Sequence, residues 1–297
     1  MNVMAFESIH RAYRRGADVL HGVGYSIEQG EVVGLLGRNG AGKTTLIRIA
    51  MGMLEPQEGA VRIFGLDPRE KPVEVKRRIG YVSEDQILPP FLRVEEALSL
   101  HRSLFPTWDD QLAAELAAQF RLPPRERIGK LSKGQARQAA LLCAIAHRPE
   151  LLILDEPAGG LDPAARREFL ETSIRLLNEA GATILFSSHY MGDVERMAQR
   201  VVLIHEGHLL LDRSLDALRE EHTVALVPHG APVDRERLLA LEGCLGVRER
   251  SGALHAVFAL PPDRAQALLA GKLGVADAHC RTVDLEEMFI ELVGGQT

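Results

Sequence analysis

The segment Val32-Val33-Gly34-Leu35-Leu36-Gly37-Arg38-Asn39-Gly40-Ala41-Gly42-Lys43-Thr44 decides the fold that this sequence predicts. Its first five residues form an apolar run, which is typical of a strand buried on both faces of a parallel sheet. Residues 37–44 match the phosphate-loop pattern G-x-x-x-x-G-K-[ST], and a helical pattern follows from Thr44 to Met51. Strand, glycine-rich turn and helix in this order predict an α/β core that binds a nucleotide.

The charge of a phosphate group explains this pattern. Glycines allow consecutive backbone N–H groups to turn inward around an anion, and the positive N-terminal end of the following helix points at the same group. Lys43 is expected to reach the β and γ phosphates, and the Thr44 hydroxyl to ligate Mg²⁺. The predicted nucleotide contacts of this loop are Gly37, Arg38, Asn39, Gly40, Ala41, Gly42, Lys43, Thr44 and Thr45.

Two adjacent acids follow a second apolar run. Asp155 and Glu156 stand directly after the predicted strand Leu151–Leu154, at the edge where open α/β sheets bind their ligands. Asp155 is expected to hold Mg²⁺ through its water shell. Glu156 is expected to orient and deprotonate the attacking water, as phosphoryl transfer to water requires. The alternative interpretation is a strand followed by a solvated acidic turn.

Length, charge and cysteine content indicate the class of protein. A chain of 297 residues suits one large domain plus a smaller one. The net charge of −6 comes from interspersed acids and bases, which argues against DNA or RNA as the main partner. The three cysteines are far apart and lack metal-ligand spacing, as in a reduced cytosolic protein. We find neither a signal-peptide pattern nor the ~18 apolar residues of a spanning helix, so a role in transport requires a separate membrane partner.

Periodicity and turn signals predict the elements around the motifs. Residues 1–30 alternate polar and apolar, as short antiparallel strands do. Residues from about 86 to 147 have a helical pattern interrupted by proline pairs, which indicates a helical insertion. Apolar strands at Thr183–Phe186 and Val201–Ile204 follow, with a helix that begins at Pro163 before the first of them.

The last part of the chain has a different pattern. From about residue 216, two strands and two helices are predicted, and Asp284 opens a final helix through a capping box. We therefore expect two domains, residues 1–215 and a small α+β appendage at 216–297.

Three further segments resemble one family. Leu131-Ser132-Lys133-Gly134-Gln135 resembles the L-S-G-G-Q signature of ABC transporter nucleotide-binding domains and stands shortly before the acid pair, as in that family. Residues 157–162 resemble its D-loop, and Ser187-Ser188-His189 stands in the position of its switch histidine. The resemblance covers about residues 1–215. It implies a P-loop NTPase fold, with a RecA-like parallel sheet, an N-terminal antiparallel β subdomain and a helical insertion.

The resemblance also implies how such a chain works. Two cassettes, identical or paralogous, would bind two ATP molecules head to tail, and Asp162 would couple the two sites. His189 would bind the γ phosphate and the attacking water, completing a catalytic set with Glu156 and Lys43. Tyr13 would stack on adenine. Such subunits act at the cytoplasmic face of a membrane through a separate permease. The residues that would contact the γ phosphate held by the other cassette are Ser132, Gly134 and Gln135.

Two positions depart from the family pattern. Glu84 stands where the family usually has the glutamine of its Q-loop, and we expect it to face Mg²⁺; Gln86 could substitute only if the loop is shifted. Lys133 replaces the third signature residue, and a lysine does not easily follow a glycine-only turn; its side chain would either face solvent or contact a phosphate. Both departures resemble exporter-type subfamilies linked to drug, antibiotic-peptide or small-metabolite efflux.

Two other functions stay open at this point. A soluble ATPase of the same type could act on DNA or ribosomes, although this chain has one cassette, no sustained heptads and no basic tail. A regulatory protein could sense ATP without turnover, although Glu156 and His189 argue against it.

Overall fold

The computed structural model describes residues 2–14, 18–84, 88–157, 159, 163–178, 181–228, 233–250, 252–275 and 277–294. The strands are β1 Asn2–Ala12, β2 Asp18–Glu28, β3 Val32–Leu36, β4 Glu58–Ile63, β5 Ile79–Val82, β6 Leu151–Leu154, β7 Thr183–Ser188, β8 Arg200–His205, β9 His208–Ser214, β10 Thr223–Pro228, β11 Cys244–Arg250, β12 Ala253–Phe258 and β13 His279–Thr282. The α-helices are α1 Lys43–Ala50, α2 Pro72–Lys76, α3 Val94–Leu104, α4 Asp110–Gln119, α5 Lys133–Ile145, α6 Pro163–Asn178, α7 Met191–Met197, α8 Leu215–Glu221, α9 Arg235–Leu239, α10 Pro262–Leu273 and α11 Leu285–Gly294.

A six-stranded sheet carries the predicted motifs. Its strand order is β5-β6-β7-β3-β8-β9, and the pairs from β5 to β8 are parallel. Every residue of β3, β6 and β7 is buried, which explains why these strands have continuous rather than alternating apolar sequences. The carboxyl ends of β6, β7 and β3 are neighbours at one sheet edge. The predicted P-loop α/β core is therefore confirmed.

A three-stranded antiparallel sheet, in the order β2-β1-β4, packs on the same hydrophobic core. The core cluster includes Met4 of β1, Ile27 of β2 and Leu35 of β3 together with Leu46 and Ile49 of α1. These side chains are fully buried. The antiparallel subdomain expected at residues 1–30 is present, and β4 extends it.

The predicted helical insertion contains α3, α4 and α5. The Asp109 carboxylate accepts a hydrogen bond from the Leu112 backbone N–H at 2.9 Å and thereby caps α4. The same carboxylate accepts two hydrogen bonds from Arg148, at 2.6 and 2.8 Å. These contacts fix the start of α4 to the segment that leads from α5 into β6.

The chain divides into two compact units, Met1–Asp212 and Arg213–Thr297. The second unit has a four-stranded antiparallel sheet in the order β11-β12-β10-β13. With α9 and α10 in sequence between the strands, this is the split β-α-β arrangement of ferredoxin-like domains. Its core is separate and includes Val227, Leu238, Phe258 and Leu269. Among the described residues of both units, no helix combines the length and apolar character needed to cross a membrane.

Candidate functional site

The phosphate loop joins β3 to α1, and two of its glycines are required by close contacts. A Cβ atom on Gly37 would lie 2.4 Å from the Ile204 carbonyl oxygen. Gly42 has a φ of 106°, and its Cβ would lie 2.6 Å from Leu20 Cδ2. Larger residues would therefore push the loop away from β2 and β8, and the turn into α1 would be strained.

Lys43 is buried at the first position of α1. Its Nζ donates a hydrogen bond to the Gly37 carbonyl oxygen at 2.7 Å. The same atom lies 3.1 Å from Glu156 Oε1, an ion pair without hydrogen-bond geometry. The predicted phosphate-binding lysine and the predicted base are thus in direct contact.

Asp155 is held by two hydroxyl groups. Thr44 Oγ1 donates to Asp155 Oδ1 at 3.2 Å, and Ser187 Oγ donates to the same oxygen at 2.8 Å. Burial raises the pKa of Asp155, while the hydrogen bonds from Ser187 and Thr44 oppose this effect. Thr44 of the phosphate loop and Asp155 of the acid pair, both predicted to hold Mg²⁺, are therefore in direct contact.

Glu156 has an unusual backbone conformation, with a φ of 44°. For a non-glycine residue this left-handed conformation persists only when the surroundings impose it. The Glu156 N–H donates to Ser187 Oγ at 2.8 Å, and Arg137 Nη1 donates to the Glu156 carbonyl at 3.5 Å. Arg137 also donates to the carbonyl oxygens of Pro157 and Gly159.

The contribution of Arg137 is not predicted from the sequence, although Arg137 interrupts the apolar face of α5 and is buried there. The contribution of Ser187 is not predicted either, because in the segment Ser187-Ser188-His189 only the histidine has an expected role.

His189 follows β7 and contacts the acid pair. Its Nδ1 lies 2.9 Å from Glu156 Oε2. The imidazole is about one-third exposed and lines an open pocket together with Arg38, Asn39 and Gly40 of the phosphate loop. Because Nδ1 is used by Glu156, Nε2 is the ring nitrogen left to bind a ligand in that pocket.

A second pocket also borders the phosphate loop. Its lining joins Tyr13 and Glu84 to the loop residues and to Glu156. The Tyr13 hydroxyl and Thr45 Oγ1 are 3.2 Å apart, within hydrogen-bond distance, and Tyr13 as a residue is 53% exposed. The structure thus places the predicted adenine-stacking and Mg²⁺-facing residues beside the loop.

The signature residues form the start of α5. Ser132 caps α5, accepting a hydrogen bond from the Gln135 N–H at 3.2 Å, and Gln135 Oε1 accepts in return from the Ser132 N–H. Lys133 is the exposed first residue of α5. The expectation that a lysine would be hard to accommodate at position 133 is wrong. The segment starts a helix rather than a glycine-only turn, and a helix readily accommodates lysine.

Ser132, Gly134 and Gln135 line neither pocket beside the phosphate loop. Asp162 and Gln86 lie outside the described residues.

Comparison with known proteins gives a consistent family. The family model for "ABC transporter" matches residues 20–159. The ABC transporter ATP-binding protein YtrB of Bacillus subtilis (strain 168) is 29% identical over 95% of each chain. The Nod factor export ATP-binding protein I of Burkholderia orbicola (strain AU 1054) is 30% identical over 93% of this chain and 92% of that protein. The solved structure of an ATP-binding subunit of an ABC transporter has a TM-score of 0.66 and 30% identity, covering 73% of this chain and 92% of the other.

These similarities agree with a site in which the phosphate loop, the acid pair and the histidine meet at one sheet edge. The chain belongs to the ABC transporter family as an ATP-binding protein, and it is an ATPase.

Proposed function

We propose that this chain hydrolyses ATP with Mg²⁺ and Glu156 as the general base, and that it powers export through a separate membrane subunit. The observation that carries the catalytic part is the contact series Lys43–Glu156–His189, with distances of 3.1 and 2.9 Å. It joins a phosphate-binding cation, a base and a second polar group at the end of a buried parallel strand.

The oxygen atoms beside the loop fit a magnesium ion. Mg²⁺ prefers one or two protein oxygen ligands together with phosphate oxygens and water. Asp155 Oδ1 and Thr44 Oγ1 supply a carboxylate and a hydroxyl oxygen, and Glu84 lines the same pocket as Thr44. When bound, Mg²⁺ neutralises charge that develops on the phosphate oxygens.

The protein groups have separate roles in this proposal. Lys43 binds the β and γ phosphates, and Tyr13 stacks on adenine. Glu156 accepts a proton from the attacking water, and its carboxylate is oriented by His189 at Oε2 and by the ion pair to Lys43 at Oε1. His189 contacts the γ phosphate through Nε2.

The signature residues are proposed to act on a second cassette. Ser132, Gly134 and Gln135 stand at the N-terminal end of α5, a helix of 13 residues that directs its positive dipole end outward. A γ phosphate held by another cassette is an anion suited to that position. The second cassette is identical or paralogous.

Transport and its direction rest on different support. The relatives include an export ATP-binding protein that matches over nearly the whole chain. Glu84 and Lys133 also resemble the corresponding residues of exporter-type subfamilies. We propose that the chain lies at the cytoplasmic face of a membrane, held there by a permease.

Replacement of Glu156 by Gln tests the catalytic role. The amide keeps the size of the side chain but does not accept the proton, so we expect kcat to fall at least about a hundredfold with ATP binding retained. The matched control is Glu171→Gln, which makes the same change on the exposed side of α6. Turnover is measured by phosphate release and binding by equilibrium titration. Wild-type turnover in Glu156→Gln would exclude Glu156 as the base.

Cell fractionation separates transport from the alternative of a soluble ATPase. The tagged full-length chain is expected in the membrane fraction, co-purifying in detergent with an integral membrane protein. Co-purification with ribosomes or DNA instead would favour the soluble ATPase.

A further inference from the structure

Three planar side chains lie in a row of contacts, here called the stack, beside the catalytic glutamate. The ring centroids of His189 and Tyr190 are 4.0 Å apart, with planes tilted by 40°. The guanidinium carbon of Arg166, on α6, lies 3.7 Å from the centroid of the Tyr190 ring. The order of contacts is therefore Arg166, Tyr190, His189 and Glu156.

Arg166 and Tyr190, the two members of this stack farthest from Glu156, make further contacts of their own. Arg166 Nε lies 3.2 Å from Asp193 Oδ2 in the first turn of α7, and both side chains are less than one-fifth exposed. The Tyr190 N–H donates to Ser188 Oγ at 3.0 Å. Arg166 is thus ion-paired between α6 and α7, and the Tyr190 backbone is anchored to the end of β7.

The hydrogen bond to Glu156 does not by itself fix the imidazole. It restrains Nδ1, but one hydrogen bond leaves small changes in the two side-chain torsions possible, and about one-third of the side chain is exposed to solvent. A neighbouring aromatic ring in contact with the imidazole restricts this freedom, and a cation over the tyrosine ring strengthens the row of contacts.

We propose that Arg166 and Tyr190 are positioning residues for His189. They hold the imidazole in one orientation. In that orientation Nδ1 contacts Glu156 and Nε2 faces the phosphate-loop pocket. This inference rests on the role proposed above for His189.

A purely structural interpretation of the same contacts gives a different expectation. Arg166 would then only join α6 to α7, as Arg196 and Glu171 do at 3.7 Å on the exposed side of the same two helices. Loss of either arginine would have the same effect on activity, and it would act through stability alone.

The test compares Tyr190→Leu with Tyr190→Phe in the full-length protein. Leucine fills apolar volume without a flat ring, so we expect kcat to fall about tenfold while KM for ATP changes less than twofold. Phenylalanine keeps the ring and is expected to restore kcat to within twofold of wild type. In parallel, Arg166→Ala should lower kcat, whereas the matched Arg196→Ala should not.

A His189→Ala background distinguishes the inference from the role on which it rests. If Tyr190 acts through His189, Tyr190→Leu should cause no further loss of kcat in that background. A full tenfold loss there, or wild-type kcat in Tyr190→Leu alone, would overturn the positioning role. Wild-type kcat in His189→Ala would overturn the role of His189 itself, and this inference with it.

Discussion

Arg137 places a buried guanidinium group among backbone carbonyls of the two loops that flank the site. It donates to the carbonyl oxygens of Glu156, Pro157 and Gly159 on one side and of Glu84 on the other. Because carbonyl oxygens in a buried loop need donors, this side chain stabilises the left-handed backbone at Glu156. No sequence motif marks such a residue, because its partners are backbone carbonyl groups, which every residue type carries.

Replacement of Arg137 by Met tests this contribution. Methionine fills similar volume but donates no hydrogen bond, so the free energy of unfolding should fall by about 3 kcal/mol as buried carbonyls lose their partners. Urea denaturation measures the change. The control Arg62→Met makes the same substitution on an exposed position of β4 and should shift stability by less than about 0.5 kcal/mol. Equal stability losses in the two variants would contradict this role.

The buried side chain of His147 makes the free energy of unfolding depend on pH. Its ring stacks on Phe105, with centroids 3.9 Å apart, and its Nε2 lies 3.1 Å from the Ile79 carbonyl oxygen. Burial lowers the pKa of His147 to about 4. A folded-state pKa below the unfolded value of ~6.5 means that the unfolded chain binds the proton more readily, so stability is lost as pH falls from about 6.5 towards 4.

His147→Gln should therefore lose less stability on acidification than wild type. Between pH 7 and pH 5 the difference should be about 2 kcal/mol, measured by urea denaturation at both pH values. The other histidines are common to both proteins and cancel in the comparison. The same pH dependence in wild type and variant would show that His147 is not the group responsible.

At the scale of elements, the strands buried on both faces were the predictable part of the fold. β3, β6 and β7 can be predicted from their continuous apolar sequences alone, without knowledge of the strands they pair with. The functional motifs follow directly after these strands. β4, β9, β11 and β13 are not predicted as separate strands from the local sequence. In β4 only Val61 and Ile63 are buried, and pairing with β1 comes from distant residues. Sheet formation at such strands depends on tertiary context rather than on local sequence.

In the candidate site, too, the residues marked by local sequence were predictable and those that depend on tertiary contacts were not. The phosphate loop, the acid pair and His189 were predictable because each follows an apolar strand, and neighbouring parallel strands end at the same edge. Ser187, Arg137 and the stack of Arg166 on Tyr190 were not. Their roles come from contacts between elements that are separate in sequence.

The final helix tests a prediction about a single element. Asp284 Oδ1 accepts from the Glu287 N–H at 2.7 Å, and Glu287 Oε2 accepts from the Asp284 N–H at 3.3 Å, which confirms the expected capping box of α11. Asp284→Ala should lower the stability of the second unit by about 1 kcal/mol. Asp284→Ser keeps a cap and should lose less than half of that. Thermal unfolding measures both, and equal losses would assign the effect to charge rather than to capping.

At the scale of the whole molecule, each compact unit has its own hydrophobic core. All nucleotide-contacting residues proposed above lie in the unit Met1–Asp212. We expect two unfolding transitions in calorimetry, and ATP with Mg²⁺ should raise only the one that belongs to this unit. At a hundred times Kd the stabilisation is about 2.7 kcal/mol.

The calorimetry uses Glu156→Gln to prevent turnover, with Lys43→Ala in the same background as a control that should remove the shift. Fusion of the two transitions into one that shifts as a whole would show that the units unfold together. The domain boundary proposed at residue 215 would then have no thermodynamic meaning.

The central position of β3 also affects how the chain is made. Val32 pairs with Ile184 on one side and Val33 with Arg200 on the other, so both neighbours of this apolar strand are encoded more than 150 residues later. At ribosomal rates that interval lasts roughly ten to thirty seconds. During this time the nascent chain carries an unpaired, wholly apolar strand that can join the wrong edge. We therefore expect productive expression of this ATPase to depend on the cell's capacity to shield β3 until β7 and β8 leave the ribosome.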